Sequence, residues 1–473
     1  MKGRDIISDD IFKTISDVAD AMKVEAYVVG GYVRDFMLKR PLPNDIDVVA
    51  VGSGIELAEK LSEALPKKPK VTVFKRFGTA MLRHNDIELE FVGARKESYR
   101  ADSRKPTVED GTLEDDQRRR DFTINALAVR LNNDGFGELI DPFNGLTDLE
   151  NEIIQTPLDP DITFSDDPLR MMRAIRFAAQ LHFTIHPKTL AAIRKNADRL
   201  HIVSVERIMT EFNKIMTCER PSEGLALLFE TGLLPYFLPE INALQGVEEV
   251  EGQLHKDNFY HTIEVVDNIS KNTENLWLRW AALLHDIGKP VVKKFDSKVG
   301  WTFHGHEFLG GKMVPRIFKR LKLPLGSTSK YVQKMVAMSS RPTALTNENV
   351  TDSAVRRLLF DAGDDIDDLM LLVEADITTK NERRKRKYLN NFREVRERLV
   401  KVEEEDKLRN WQPPISGKEI MDAFNLPPGR EVGLIKSAIK EAILDGEIHN
   451  DYDAAMAFMK EKGPHILQSD EKP

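Results

Sequence analysis

"VVGGYVRDFMLKRPLPNDIDVVAVG", residues 28–52, decides how the N-terminal part of the chain is read. A short strand, Tyr27–Val29, runs into Gly30-Gly31, and Val33–Leu38 then has the pattern of a short helix. A strand–Gly-Gly–helix turn lets backbone N–H groups approach a phosphate closely. The next apolar run, Ile46–Val51, has the pattern of a buried strand, yet Asp47 interrupts it and Asp45 stands just before it. At a side-chain period of two, both carboxylates project from one face, about 6.5–7 Å apart. Like charges so placed repel unless a cation lies beside them. Magnesium suits such a site, because it binds carboxylate oxygens and keeps other positions for water and phosphate. "DIELEF", residues 86–91, reads as another strand with Glu88 and Glu90 on one face. Laid beside the first, it brings a third carboxylate to the pair. Two magnesium ions about 3.5–4 Å apart would then orient an attacking hydroxyl and stabilise a departing pyrophosphate.

The chain around this stretch has 473 residues, too long for one core, with 41% hydrophobic and 31% charged residues. No run approaches the ~18 apolar residues of a membrane span. The N-terminus lacks the apolar centre of a signal peptide. One cysteine, Cys218, excludes an internal disulfide framework and a cysteine-rich zinc site. The compartment expected from these features is the cytoplasm. The net charge of −8 argues against a general nucleic-acid coat. Two basic runs, residues 118–120 and "ERRKRK" at 382–387, each read alone as a solvated helix face.

Strand signals concentrate in residues 1–150, among them Val71–Phe74, Thr79–Arg83 and Ile87–Val92, with a helix over 53–65. Beyond about 155, amphipathic helical spacing takes over. The expected fold class is α+β: a small head with a mixed sheet, then an all-α neck, a His-rich helical domain and a helical tail. The boundaries expected are 1–155, 156–245, 246–385 and 386–473.

The motif "GGYVRDFMLKRPLPNDIDVVAVG" resembles the first signature of class II tRNA nucleotidyltransferases and bacterial poly(A) polymerases. The resemblance implies that Gly30 and Gly31 bind the triphosphate, that Arg34 and Asp35 support it, and that Asp45 and Asp47 hold Mg2+. It matches the third acid to Glu90, in "EFVGAR" (90–95), with Glu88 as rival. "RRRDFTINALAV" (118–129) resembles the second signature, in which Arg120, Asp121 and Asn125 contact ribose and phosphate. Asp121 and Asn125 should lie one helical turn apart and face one ligand. "DPFNGLTDLE" (141–150) resembles the link from head to neck, and by its residues is a Pro/Gly turn into a helix.

In "SDDPLRMMRAIRF" (165–177), Asp167, Arg170 and Arg173 are three apart and should share a helix face. A carboxylate accepts and a guanidinium donates hydrogen bonds in a fixed fork, so together they can read the edge of a base. The simpler alternative is an intrahelical ion pair worth ~0.3–0.5 kcal/mol. In the family this element selects CTP, then ATP. "SVERIMTEFNK" (204–214) resembles the following neck signature, which assigns Glu206 and Arg207 a bracing role. Residues 99–116 read as a long polar loop. The resemblance makes it the element that switches from C to A, and its full length favours complete CCA addition.

Only 11 histidines occur, yet "FYHTIEVVDN", "ALLHDIGKP", "FHGHEFLG" and "LLVEADITTK" supply His261, His285-Asp286, His304, His306 and Asp376. A neighbouring His and Asp on one helix can bind one ion with two distant partners. The order resembles an HD-type phosphohydrolase domain, with His261, His285, Asp286 and Asp376 as ligands of a second divalent metal and Lys289 following. His306 matches a further histidine of two-metal members, but "AMSSRP" places serines where the next is expected, which favours one metal. The tail "ISGKEIMDAFNLPPGREVGLIKSAIKEAILDGEI" resembles that of HD-bearing relatives, where it could grip RNA or only join helices.

The reading as a whole is sequential addition of C, C and A to tRNA from CTP and ATP, with no membrane partner. A poly(A) polymerase, a CC-only or A-only enzyme, and an HD-type phosphohydrolase as the main activity are its rivals.

Overall fold

A computed structural model describes residues 3–75, 78–100, 103–246, 249–250, 253–254, 257–346, 351–406 and 411–470. The chain forms two compact units, Met1–Pro239 and Glu240–Pro473.

The first unit begins with helix α1 (Asp10–Met22), capped by the Asp9 carboxylate and stopped by Lys23 in the left-handed region. Strands β1 (Glu25–Val29) and β2 (Asp45–Val51) flank helix α2 (Gly31–Met37). Helix α3 (Gly54–Ala64) follows, capped by Ser53. Next come β3 (Val71–Phe74), β4 (Thr79–His84) and β5 (Ile87–Gly93). After them lie β6 (Arg95–Arg100), β7 (Ser103–Asp110), α4 (Leu113–Arg118), β8 (Ala128–Arg130) and β9 (Leu139–Ile140). Seven strands make one sheet in the order β3-β4-β5-β2-β1-β8-β9, and β6 and β7 form a separate hairpin. Within this seven-stranded sheet only β2 and β5 pair in parallel, because α3 and the β3–β4 pair carry the chain back to start β5 beside β2. The sheet is therefore mixed.

Register assigns the faces. Ile46 lies beside Leu89 and Val48 beside Phe91. Across β4, Leu82 and Ala80 pair with Leu89 and Phe91. All six are fully or nearly fully buried, as are Leu57, Ala58 and Leu61 of α3, which lies on this side. The opposite face carries Asp45, Asp47, Glu88 and Glu90 at one end. Its other end is closed by an apolar cluster of Tyr27, Val29, Val49, Ala94 and Ala128.

Residues 99–116, expected as a long loop, instead contribute most of the β6–β7 hairpin and the start of α4. Polar composition concealed a strand pair because neither strand belongs to the main sheet. Residues 101–102 lie outside the described residues.

Helices α5 (Gly145–Glu150), α6 (Pro160–Asp166), α7 (Leu169–Leu181), α8 (Pro187–Asn196), α9 (Val205–Met216) and α10 (Pro221–Glu230) complete the first unit. The second unit is helical apart from short strand pairs, and includes helices Asn258–Ser270, Leu276–Leu284, His306–Arg320, Ser327–Met338, Asp352–Ala362, Ile366–Ala375 and Glu382–Asp406. In its tail, the helix Arg430–Asp445 is tied back through Asp445, which accepts from Arg357 (2.9 Å) and Ser353 (2.7 Å). Among the described residues no helix is long and apolar enough to cross a membrane.

One close approach fixes how α3 seats on the sheet. A Cβ at Gly54 would lie 2.7 Å from the Val92 carbonyl carbon and 2.9 Å from the Gly93 nitrogen. These are backbone atoms that cannot rotate away. Gly54→Ala is expected to destabilise the first unit by about 1–3 kcal/mol, measured as a lower urea midpoint. Gly433, within the helix Arg430–Asp445, has open space where a Cβ would stand. Gly433→Ala therefore serves as the control and should not lower the midpoint.

Candidate active site and histidine cluster

The turn after β1 places Gly30 at φ 74°, ψ −133°. A side chain there would be strained, and its Cβ would meet Arg120 Nη1 at 3.1 Å and Asp47 Oδ2 at 3.5 Å. The glycine thus leaves room for a guanidinium and a carboxylate beside the turn. Parallel register sets Asp45 next to Glu88 and Asp47 next to Glu90. The two glutamates differ in surroundings. Glu88 accepts from Arg83 of β4 at 2.8 Å and 3.0 Å. Glu90 instead lines a cavity of about 530 Å³ together with Asp47. Burial, then the neighbouring acids, pushes the Glu90 carboxyl up. Burial and then Glu88 raise Asp45. At Asp47, burial raises the carboxyl, and the Arg120 guanidinium only partly offsets it. This face holds more negative charge than its own cations balance.

The same cavity is lined by Arg95, Arg119, Arg120, Asp121 and Arg173, and by Asp167, Arg170, Arg207 and Glu211. The head and neck therefore share one concavity. A buried acid absent from the sequence reading organises its arginines. Asp116 is fully buried, with one oxygen on Arg119 Nε (2.9 Å) and the other on Arg120 (3.0 and 3.1 Å). It stands at the end of a polar stretch, where nothing in its neighbours signals burial.

A second network runs from the glycine turn into the neck. Arg34 donates to Asp35 (2.9 and 3.0 Å) and to Asn125 Oδ1 (2.8 Å). Asn125 donates to Asp121 Oδ1 (3.0 Å), and Arg173 donates to Asp121 Oδ2 (2.6 Å). Arg173 also lies 3.9 Å from Glu211, which pairs with Arg176 at 2.6 Å. Asp121 and Asn125 meet through a 3-10 turn, Thr123–Asn125, rather than an α-helical turn. The segment 141–150 braces that turn, since Asp148 of α5 accepts from the Thr123 hydroxyl at 2.5 Å. Glu211 escaped sequence reading because it sits on the inner side of α9 among Ile208, Phe212 and Ile215, where apolar residues prevail.

Asp167 does not share a helix face with Arg170 and Arg173. It ends α6 in extended conformation, before Pro168, and α7 starts at Leu169. Proline disfavours helical geometry in the residue before it. Its carboxylate accepts from the Leu169 N–H (3.2 Å) and from Arg207 (3.1 Å). Arg170 donates to the carbonyls of Arg119 and, at 3.4 Å, Thr163. Asp167 and Arg170 both reach the cavity, from different elements.

In the second unit, His285 and Asp286 lie at the C-terminal end of the helix Leu276–Leu284, with His285 as its cap rather than within it. Three histidines have Nδ1 anchored: His261 on the Thr378 hydroxyl (2.9 Å), His285 on the Ala282 carbonyl (2.8 Å) and His306 on the Phe303 carbonyl (2.8 Å). Each therefore turns Nε2 inward. His261 Nε2 lies 2.8 Å from Asp376 and 3.7 Å from Asp286. His285 Nε2 lies 3.3 Å from Asp286 and 3.5 Å from Asp376. His306 Nε2 is 3.4 Å, and Lys289 Nζ 2.6 Å, from Asp286. Ligand atoms of His261, His285 and Asp286 all lie within 4.8 Å of one another. Burial opposes a charged imidazole, but the two aspartates raise His285 to about 10. The centre calls for positive charge, and a divalent cation taking the place of the Nε2 protons would supply it. His304 is outside this set, and His255 lies outside the described residues.

The Poly A polymerase head domain family matches residues 26–155, the family described as "Probable RNA and SrmB- binding site of polymerase A" matches 182–245, and the HD domain family matches 258–380. The class defined by fold and site is a nucleotidyltransferase head and neck followed by an HD-bearing helical unit. The CCA-adding enzyme of Streptococcus gordonii is 30% identical over 440 residues, covering 93% of this chain and 94% of that protein. The A-adding tRNA nucleotidyltransferase of Deinococcus radiodurans is 33% identical over 355 residues, covering 72% and 78%. The crystal structure of the Bacillus stearothermophilus CCA-adding enzyme in complex with CTP shares the fold, with a TM-score of 0.67 at 24% identity over 97% of this chain and 98% of that one. This chain belongs to the class II tRNA nucleotidyltransferase family, the CCA-adding enzymes.

Burial raises the Asp121 carboxyl, but Arg173, the Asn125 hydrogen bond and Arg170 outweigh it and bring the pKa to about 2. A depressed carboxyl stabilises the folded state above its unfolded pKa, and that stability is lost as pH falls through the folded value. Asp121→Asn should therefore cost about 2 kcal/mol at pH 7. In urea titrations the gap to the parent should narrow between about pH 4 and pH 2.

Proposed function

We propose that this chain completes tRNA 3′ ends by adding C, C and A in sequence, consuming CTP and ATP and releasing pyrophosphate. The observation that carries this reading is the one cavity in which the acidic face of the head meets Asp167 and Arg170 of the neck. Asp47 and Glu90 line the cavity and Asp45 stands two residues before Asp47 on the same strand face; these hard oxygen donors would hold Mg2+. When bound, magnesium lowers the pKa of the attacking tRNA 3′-hydroxyl and neutralises the triphosphate.

The protein's own groups position the reactants. Gly30 and Gly31 leave the triphosphate free to approach the backbone. Arg120, beside Asp47, takes up negative charge as the α-phosphate is attacked and pyrophosphate departs. Asp35 and Asn125 fix Arg34, and Asp121 fixes Arg173, so both guanidiniums hold their places beneath the nucleotide. Asp167 accepts from a base edge and Arg170 donates to it, each exchanging a protein partner for the base. No template strand is required, because the reading edge is made of side chains. The His261, His285, Asp286 and Asp376 cluster would hold one divalent cation and takes no part in transfer. On this reading the compartment is the cytoplasm, where tRNA, CTP and ATP meet.

Incubation with tRNA lacking CCA and one nucleotide at a time tests the assignment. CTP alone should extend the RNA by two residues, and ATP should then add one. An RNA that accepts only A, or only C, or a long A tract, assigns the chain to a partial enzyme or a poly(A) polymerase. Asp47→Ala should lower incorporation by at least about a hundredfold, while His285→Ala should leave it intact. Arg170→Ala should blur the choice between CTP and ATP, seen as misincorporation in the same assay.

A further inference from the structure

We propose that the first two turns of the helix Glu382–Asp406 are a docking surface for single-stranded RNA, holding phosphates on Arg383, Arg386 and Lys387 and stacking a base on Tyr388. The proposal rests on the reading of RNA as this chain's substrate, and adds a contact region in the second unit.

Residues 383–387 are five consecutive cations, four of them exposed and Lys385 half-buried. Among the described residues none of the five has an acidic partner. Further along the same helix two arginines are used internally: Arg396 pairs with Glu374 at 2.7 Å and Arg398 with Asp352 at 2.7 Å. The unbroken run of cations is thus at one end of the helix, in a chain whose net charge is −8.

Their position also works against the helix. A helix N-terminus carries positive potential and favours acids, and a C-terminus favours bases. Here the order is reversed: the cations occupy the first turns, and residues 403–406 read Glu-Glu-Glu-Asp. Folding gains nothing from this arrangement, whereas a polyanion does.

Neighbouring groups point to RNA rather than to an acidic protein. Arg383, Arg386 and Lys387 line a hollow of about 500 Å³ with Asn390 and Asn391, and with Glu382 and Glu394 at its margins, so cations outnumber acids there by three to two. Asn391, Lys380, Tyr388 and Phe392 also form the outer wall of the cavity of about 710 Å³ that reaches His261 and Asp376 of the histidine cluster. Tyr388, directly after the five cations, is 46% exposed. Cations that follow a backbone, amides that read polar edges and an exposed ring form the combination that binds unpaired bases.

Binding of the full chain to tRNA lacking CCA, followed by fluorescence anisotropy across a salt series, tests this. Replacing the three cations together (R383E/R386E/K387E) should weaken binding about tenfold or more and reduce the slope of log K against log salt by about 2. Tyr388→Ala should weaken binding about fivefold or more with the slope unchanged. In turnover the triple variant should raise KM for tRNA and leave KM for CTP alone. Its thermal midpoint should hold or rise, because the substitutions relieve the helix dipole. If the triple variant binds tRNA with the parent's affinity and slope, the proposal is overturned and the surface serves an acidic protein or nothing. If the parent chain itself fails to bind tRNA, the functional reading falls, and this inference with it.

Discussion

The contact between Asp121 and Arg173 is the constraint on which the first unit depends. A carboxylate removed from water must find its counter-charge within the protein, and Asp121 finds it on a different structural layer. Head and neck are joined by charge as well as by apolar packing. Asn125 and Arg34 extend the connection to the glycine turn. Glu211 and Arg176 extend it into α9. The glycine turn of the head and the helices of the neck are thereby kept in one frame.

The acidic face obeys the opposite rule. Asp45, Asp47 and Glu90 are each pushed up by burial and by neighbouring acids rather than satisfied. Asp116 and Asp121 in the same unit are held down instead. Asp116, although fully buried, stays ionised because two guanidiniums sit on its two oxygens. The contrast separates acids paired with guanidiniums from acids whose burial is not offset by a cation of the protein. In the second unit the anchored histidines make the same distinction. Their Nδ1 atoms are tied to the protein and their Nε2 atoms converge on two aspartates.

Much of this was legible in the chain itself. Period-two spacing put Asp45 and Asp47 on one strand face, and the Gly-Gly turn, the helical neck and the histidine segment each had a local pattern. Other features had none. The hairpin over 95–110 is polar and lies off the main sheet, so alternation did not mark it. Pro168 breaks the helix that the spacing of Asp167, Arg170 and Arg173 suggests, and Asp167 reaches the cavity from α6 instead. Asp116 and Glu211 look like ordinary surface acids in sequence, and are buried only because arginines from other turns and helices close over them.

The sequence by itself determined the classes of element, the strand face that carries paired carboxylates and the family to which the motifs belong. These are local or short-period properties, fixed by which residues sit two, three or four apart. Tertiary structure alone decided which of Glu88 and Glu90 faces the cavity. In strand spacing the two are equivalent, and the difference is that Arg83 on the adjacent strand takes Glu88 for itself. It also decided that the head acids and the neck arginines share one cavity, because charges distant in sequence become neighbours only when two layers pack together.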